Sequence, residues 1–456
     1  MSHITEKYFE QTVSSIVRAL QFDSSLKAPD GEYPFGKETA DCLQWFLSLA
    51  ESFGFETKNY DNYIGEVVFG EGEPFAILAH LDVVPAGGGW KYPPFGGVIN
   101  DDVSDGGVAG RKIWGRGALD DKAPAVCCLY ALKAIKDQGV TPKRTIKLIL
   151  GCNEESGWKC IEHYKTAAQL PKEGFTPDAD FPVIYAEKGI LHLTAFFPIQ
   201  NAPFKTLTAG ERVNMVCDKA VALLTKKAGQ ELALYENFTE CFYDNTTNQL
   251  VTYGKSAHGS TPQKGVNALE KMLKFFASMN EDCKAAYEVL FNDALALQKM
   301  QDETGALTFS PNLAAFDGER LAVTVDIRFP ATHKKEEVLA AFASAGIAAE
   351  EKSYQPPLYN DRNGNLVQTL LKVYNERTGA NAQPIAIGGG TYARAMENGC
   401  AFGPEMPNEE STIHQANEYV TFERIRLMNE IYYEAIYRLT VPTQKIHIAT
   451  IKTTKN

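Results

Sequence analysis

The chain has 456 residues, with 57 acidic against 45 basic side chains and a formal net charge of −12, which argues against a general nucleic-acid or anionic-membrane binder. A hydrophobic content of 44% and a charged content of 22% are globular rather than disordered values, and the length exceeds one ordinary core, so two domains are expected. The nine cysteines are odd in number and form no CxxC pair, which argues against a disulfide framework or a thiolate zinc knuckle and fits a cytoplasmic protein.

The opening MSHITEKYFEQ lacks a basic start followed by an apolar core, so no signal peptide is expected, and no apolar run is long enough to span a bilayer. Phe9, Val13, Ile16 and Leu20 repeat at helical spacing. NYIGEVVFG and PFAILAHLDVV read as strands. A helix follows LDDKAP, with Asp121 as N-cap and Pro124 tolerated in the first turn. RTIKLILGC and DFPVIYAEKG read as further strands, and this alternation predicts a mixed α/β sheet covered on both faces. After Gly189 the pattern changes. ILHLTAFFP alternates like a half-exposed strand, and GVNALEKMLKFFASM is an amphipathic helix. RLAVTVDIRFP puts Leu321, Val323, Val325, Ile327 and Phe329 on one face and Ala322, Thr324, Asp326 and Arg328 on an open polar one. HKKEEVLAAFASAG is helical. Beyond the turn QPPLYN, helix and strand resume with a Gly-rich loop, IGGGTYAR, and a final helix carries Ile425, Met428, Tyr432, Ala435 and Leu439. The expected architecture is a discontinuous α/β domain, 1–189 with 357–456, interrupted by an inserted α+β domain at 190–356.

Acidic and histidine residues collect where these strands end. In AHLDVVP, His80 and Asp82 are two apart and share a strand face, so Asp82 can hydrogen-bond the ring nitrogen that a ligating imidazole leaves over. GRGALDDKAP offers Asp120 and Asp121, ILGCNEESGW offers Glu154 and Glu155, FTPDADFP offers Asp178, and STIHQANE offers His414. Singly, each has an ordinary reading as a cap, turn or solvated loop. Together they suit hard or borderline divalent cations, and one carboxylate shared by two cations is a common hydrolase arrangement. Two cations would also explain how the adjacent Glu154 and Glu155 are held together after an apolar strand.

HLDVVP, GRGALDDKAP, NEESGW, PDADFP, GKSAHGSTP, GGGTYAR and IHQANE together resemble, in order and over nearly the whole chain, the M20 family of di-zinc peptidases, PepV-type bacterial dipeptidases in particular. The resemblance implies a catalytic domain carrying two divalent ions, zinc first and manganese or cobalt as alternatives, and an inserted lid domain. It implies that Asp120 bridges the metals, that His80 and Asp178 complete one set of ligands and Glu155 and His414 the other. By the same resemblance Glu154 is the general base acting on a metal-bridging water, Asp82 orients His80, and the Asp120–Asp121 peptide is cis. In the lid, His258 would donate to the oxyanion, Arg328 would clamp the substrate carboxylate, and Asn214 would meet the same carboxylate or line the lid's polar wall. The implied activity is hydrolysis of short peptides with a free C-terminal carboxylate, by a monomer or a homodimer. An N-acyl amino acid deacylase or carboxypeptidase would share the metal centre, and a non-catalytic relative would be expected to have lost Glu154 or a ligand. Two departures stand out: Ala123 replaces the usual Gly of DDKG, and NDDVSDGGVAGRKIW looks longer than usual, a surface hairpin extension.

Overall fold

The computed structural model describes residues 5–101, 110–226 and 241–441. The tip of the expected hairpin extension, 102–109, lies outside the described residues. Its flanks, Val98–Asn100 and Lys112–Trp114, pair antiparallel. The chain forms two compact units, one of residues 1–185, 360–385 and 391–456, the other of 186–359 with 386–390. The segment 386–390, from the Gly-rich loop, therefore groups with the second unit rather than with the sequence around it.

The first unit is built on a mixed sheet. In spatial order its strands are Glu56–Tyr60, Ile64–Phe69, Arg144–Gly151, Glu73–His80, Glu173–Thr176 and Asn398–Ala401. The first two pairings are antiparallel. Those joining 144–151, 73–80, 173–176 and 398–401 are parallel. Residues Phe75 to His80 are all buried, and successive side chains of a strand point to opposite faces, so both faces of this strand are covered. The predicted helices at Phe9–Leu20, Lys122–Lys136 and Phe422–Thr440 pack on one another. Phe175 shows how the interior is filled: it stacks on Tyr432 at 6.0 Å between centroids and meets Phe75 and Phe402 at 6.2 and 5.9 Å.

The second unit is α+β. Its strands lie in the order 241–244, 249–253, 219–224, 204–209, 308–316, 320–329, 189–198 and 348–355. Leu321, Val323, Val325, Ile327 and Phe329 are fully buried as the alternation requires. Two expectations need correcting. The strand Gly189–Pro198 is mostly buried rather than half-exposed, because it lies between 320–329 and 348–355 instead of at the edge. The polar face of 320–329 is open only at its start, since Asp326 and Arg328 are 0% and 4% exposed. The helix predicted from GVNALEKMLKFFASM runs Ala268–Ala277, with Asn267 as N-cap accepting from the Leu269 and Glu270 amides. Among the described residues no helix is long and apolar enough to cross a membrane.

Phe175→Ala should cost about 3–5 kcal/mol through lost burial and a residual cavity. Urea unfolding followed by circular dichroism measures this, and a change under about 1 kcal/mol would contradict the packing described.

Candidate metal centre

Topology brings the chemistry to one edge of the first unit's sheet. Strands 73–80 and 144–151 run parallel with His80 opposite Gly151. His80 and the loop bearing Glu154 and Glu155 therefore leave at the same carboxyl end. Strand 173–176 is parallel to them and delivers Asp178 there as well. The carboxyl ends of parallel strands are the usual place for a site in an open α/β sheet. Gly151 allows a close neighbour at this point, since a Cβ would lie within 3.1 Å of three atoms of the Tyr392 phenol.

Asp120 lies between two imidazoles. Its Oδ1 is 2.8 Å from His80 Nε2 and its Oδ2 is 2.9 Å from His414 Nε2. His414 Nε2 is also 3.0 Å from Glu155 Oε1, and Asp178 Oδ2 is 3.6 Å from His80 Nε2. Two overlapping groups of donor atoms result, His80 with Asp120 and Glu155, and His80 with Glu154 and Asp178, each within 4.8 Å of one another. His80 Nε2 and Asp120 Oδ1 face each other fully buried, with no hydrogen-bond geometry between them or to any other group among the described residues. Buried polar atoms are rarely left so. The imidazole and carboxylate donors and the two orphaned atoms fit divalent cations.

The surrounding side chains aim these groups. His80 Nδ1 hydrogen-bonds the backbone carbonyl of Asp82 at 2.9 Å, with the Asp82 carboxylate farther away at 3.5 Å. The orienting bond expected from the Asp82 carboxylate is thus made chiefly by its main chain. The carboxylate itself accepts the backbone N–H groups of Glu154 and Glu155 at 3.0 and 3.1 Å, and so ties the two-glutamate loop to the His80 strand. Asp121 also departs from expectation. It occupies the N-cap position but makes no side-chain cap bond; its Oδ2 instead accepts the His80 backbone N–H at 3.1 Å. The Asp120–Asp121 peptide is cis. Trp158 donates its indole N–H to Glu154 Oε1 at 3.0 Å. Glu418, quoted within IHQANE but given no role from sequence, is fully buried against the Asp120 loop. Glu418 carries no spacing signal, because it acts on a backbone some three hundred residues away, whereas Trp158 bonds a carboxylate four residues before it, within the same NEESGW stretch.

Burial and mutual repulsion hold protons in this cluster. Burial raises Glu154 well above the ordinary carboxylate range, helped by Asp178 and Glu155. Burial also raises Glu155 to about 7 and Asp178 upward, each with Asp120 adding to it. His414 is raised to about 11 against its burial, by Asp120 and Glu155. Asp120 is held low, against its own burial, by the two histidines.

In the second unit Asn214, the His258–Gly259 turn, Asp326 and Arg328 are linked by a chain of contacts. The Gly259 N–H donates to the Asn214 carbonyl at 2.8 Å, and a Cβ at Gly259 would meet an Asp326 carboxylate oxygen. Asp326 in turn takes the Nε and Nη2 edge of Arg328 at 2.6 and 2.9 Å. The Arg328 fork is therefore half engaged within the protein rather than wholly presented to a ligand. The Ser260 backbone N–H donates to His258 Nδ1 at 3.2 Å, which makes Nδ1 an acceptor and puts the proton of the neutral ring on Nε2.

Protein stripped of cations should lose stability as pH rises. Glu155 and His414 bind protons more tightly folded, at about 7 and about 11, than at their ordinary 4.5 and 6.5, so the folded chain holds more protons than the unfolded one and stability falls with pH. The opposing Asp120 acts only in strong acid. The urea midpoint of chelator-treated protein should drop between about pH 5 and 9, and saturating zinc should flatten the slope. A midpoint that rises over that window would count against the cluster as described.

Residues 76–438 match the model of peptidase family M20/M25/M40. A chain of Staphylococcus saprophyticus, provisionally named a dipeptidase, is 33% identical over 473 residues, covering 95% of this chain and 98% of its own. A Staphylococcus aureus chain with the same provisional name is 34% identical over 96% of this chain and 98% of its own. In fold the chain is similar to the Saccharomyces cerevisiae di-peptidase Dug1p, with a TM-score of 0.56, 14% identity and 97% and 98% of the two chains covered. The aminoacylhistidine dipeptidase of Vibrio alginolyticus gives a TM-score of 0.55 at 12% identity over 94% and 96%. The chain belongs to peptidase family M20/M25/M40 and is a hydrolase acting on peptide bonds.

Proposed function

We propose that this peptidase is a metal-dependent dipeptidase that cleaves short peptides bearing a free C-terminal carboxylate. The observation that carries the reading is Asp120 set between His80 and His414, with Glu155 on one side and Asp178 and Glu154 on the other. In this reading His80, Asp178 and Asp120 hold one divalent cation, Glu155, His414 and Asp120 hold a second, and the first unit is the catalytic domain. Zinc suits these donors, as do manganese and cobalt. Such ions, when bound, polarise a scissile carbonyl and acidify water.

Glu154 serves as general base. Trp158 occupies Oε1, which leaves Oε2 to accept a proton and return it to the leaving amine. Asp82 keeps Glu154 and Glu155 side by side through their main-chain amides, so one can bind a cation while the other moves a proton. His258, with its Nε2–H tautomer, is suited to donate to a developing oxyanion. Arg328 contributes Nη1, the Nη group not turned to Asp326, to the substrate carboxylate, and Asn214 is a further candidate to meet it. The nine free thiols, eight of them buried, support a cytoplasmic setting. The provisional dipeptidase name of the staphylococcal relatives supports the substrate class.

Chelator-treated enzyme should hydrolyse no dipeptide and regain activity with zinc, manganese or cobalt. A panel of dipeptides, tripeptides and acylated amino acids then separates a dipeptidase from a carboxypeptidase or deacylase, and preference for acylated amino acids would refute the proposal. Glu154→Ala should lower kcat by about 10²–10⁴-fold or more while both cations stay bound by elemental analysis; intact turnover would remove Glu154 from the role of base. Blocking the substrate's C-terminus as an amide should raise KM, and equal use of amide and free acid would contradict the Arg328 assignment.

A further inference from the structure

We propose that Glu418 is a positioning residue that fixes the main chain of Asp120 between the two imidazoles and thereby sets the cation affinity of the centre. The inference rests on the metal-dependent reading above. Glu418 enters the strand Tyr419–Thr421, whose antiparallel register pairs Tyr419 with Trp114 and Thr421 with Lys112. That register places Glu418 across from the chain leaving Trp114, and the Gly115 N–H donates to the Glu418 carbonyl at 3.0 Å.

The side chain then reaches along the next five residues. Its Oε2 accepts from Arg116 Nη1 at 2.7 Å and from the Gly117 amide at 3.2 Å. Its Oε1 accepts from the Leu119 amide at 2.8 Å and the Asp120 amide at 3.3 Å. Four donors from one loop converge on one carboxylate, and the last belongs to the residue that lies between His80 and His414. His414 itself is only four residues before Glu418. One side chain thus ties the loop carrying one histidine to the loop carrying the shared aspartate.

The pair with Arg116 is an expensive way merely to stabilise a loop. Glu418 is 0% and Arg116 1% exposed, Arg116 Nε finds no hydrogen-bond partner among the described residues, and a buried ion pair often contributes less than an apolar replacement would. What the carboxylate does that an apolar side chain could not is hold three backbone amides of 117–120 in fixed directions. The loop has little slack: Gly117 has φ +90°, and a Cβ there would lie 3.0 Å from Lys122 Cδ. A glutamine in place of Glu418 keeps the size but turns one acceptor into an NH2 that would face donors.

The test uses the full chain, stripped with chelator and titrated calorimetrically with zinc and, separately, manganese. Glu418→Gln should keep the far-UV spectrum, lose about 10–100-fold in cation affinity, regain most of kcat at excess metal, and leave KM unchanged. Arg116→Gln removes one donor and leaves the three amides in place, so it should weaken cation binding less than Glu418→Gln even where it destabilises the fold as much. Should Glu418→Gln fail to fold, Glu418→Asp, which keeps the charge with a shorter reach, should show the same loss in smaller degree. Wild-type cation affinity in folded Glu418→Gln or Glu418→Asp overturns the inference. A wild-type protein that binds no cation overturns instead the metal-dependent reading on which the inference rests.

Discussion

The structure turns on a concentration of like charge. Asp82, Asp120, Glu154, Glu155 and Asp178 gather at the carboxyl ends of three parallel strands. Two unit charges 4 Å apart near a protein surface interact by about 4 kcal/mol, so five carboxylates cannot all be ionised there without compensation. His80 and His414 supply part of it and rise in pKa as they do so, while Glu154, Glu155 and Asp178 move toward neutrality. A pair of divalent cations would supply the rest and release those protons, which links metal binding to pH and to stability in one equilibrium.

Such a centre works only if its acids are aimed, and the fold aims them with other acids. Asp82 gathers the amides of Glu154 and Glu155, Asp121 holds the amide of His80, and Glu418 holds the amides of Leu119 and Asp120. In each case a carboxylate accepts backbone N–H groups of the segment whose side chain does the chemistry. Such bonds favour the charged form of the acceptor; for Glu418 the Arg116 guanidinium adds to them, and for both Asp121 and Glu418 burial pulls the other way.

The second unit follows a different rule. Arg328 and Asp326 neutralise each other within the sheet, and Gly259 leaves room for that pair beside the His258 loop. A guanidinium already held on one edge has lost its rotational freedom, so any ligand it meets finds its remaining N–H groups pre-oriented.

Much of this could be read in the amino-acid sequence. Alternation in RLAVTVDIRFP, the helical spacing of the terminal segments and the apolar runs ending in His80 and Gly151 specified their elements because hydrophobic periodicity is a local property. The His, Asp and Glu positions were visible because they interrupt apolar strand ends. What the sequence could not show was partnership. Whether Asp121 caps its helix or holds His80, and whether Glu418 is a loop acid or a clasp, depend on which backbone amides lie within about 3 Å. Those distances are set by sheet register and by the packing of segments up to some three hundred residues apart, and no local pattern encodes them. The sequence by itself determined which residue types stand at the strand ends, since apolar period and chain order are enough for that. Only the tertiary structure decided which of them meet, because a buried hydrogen bond belongs to the packing of both its partners.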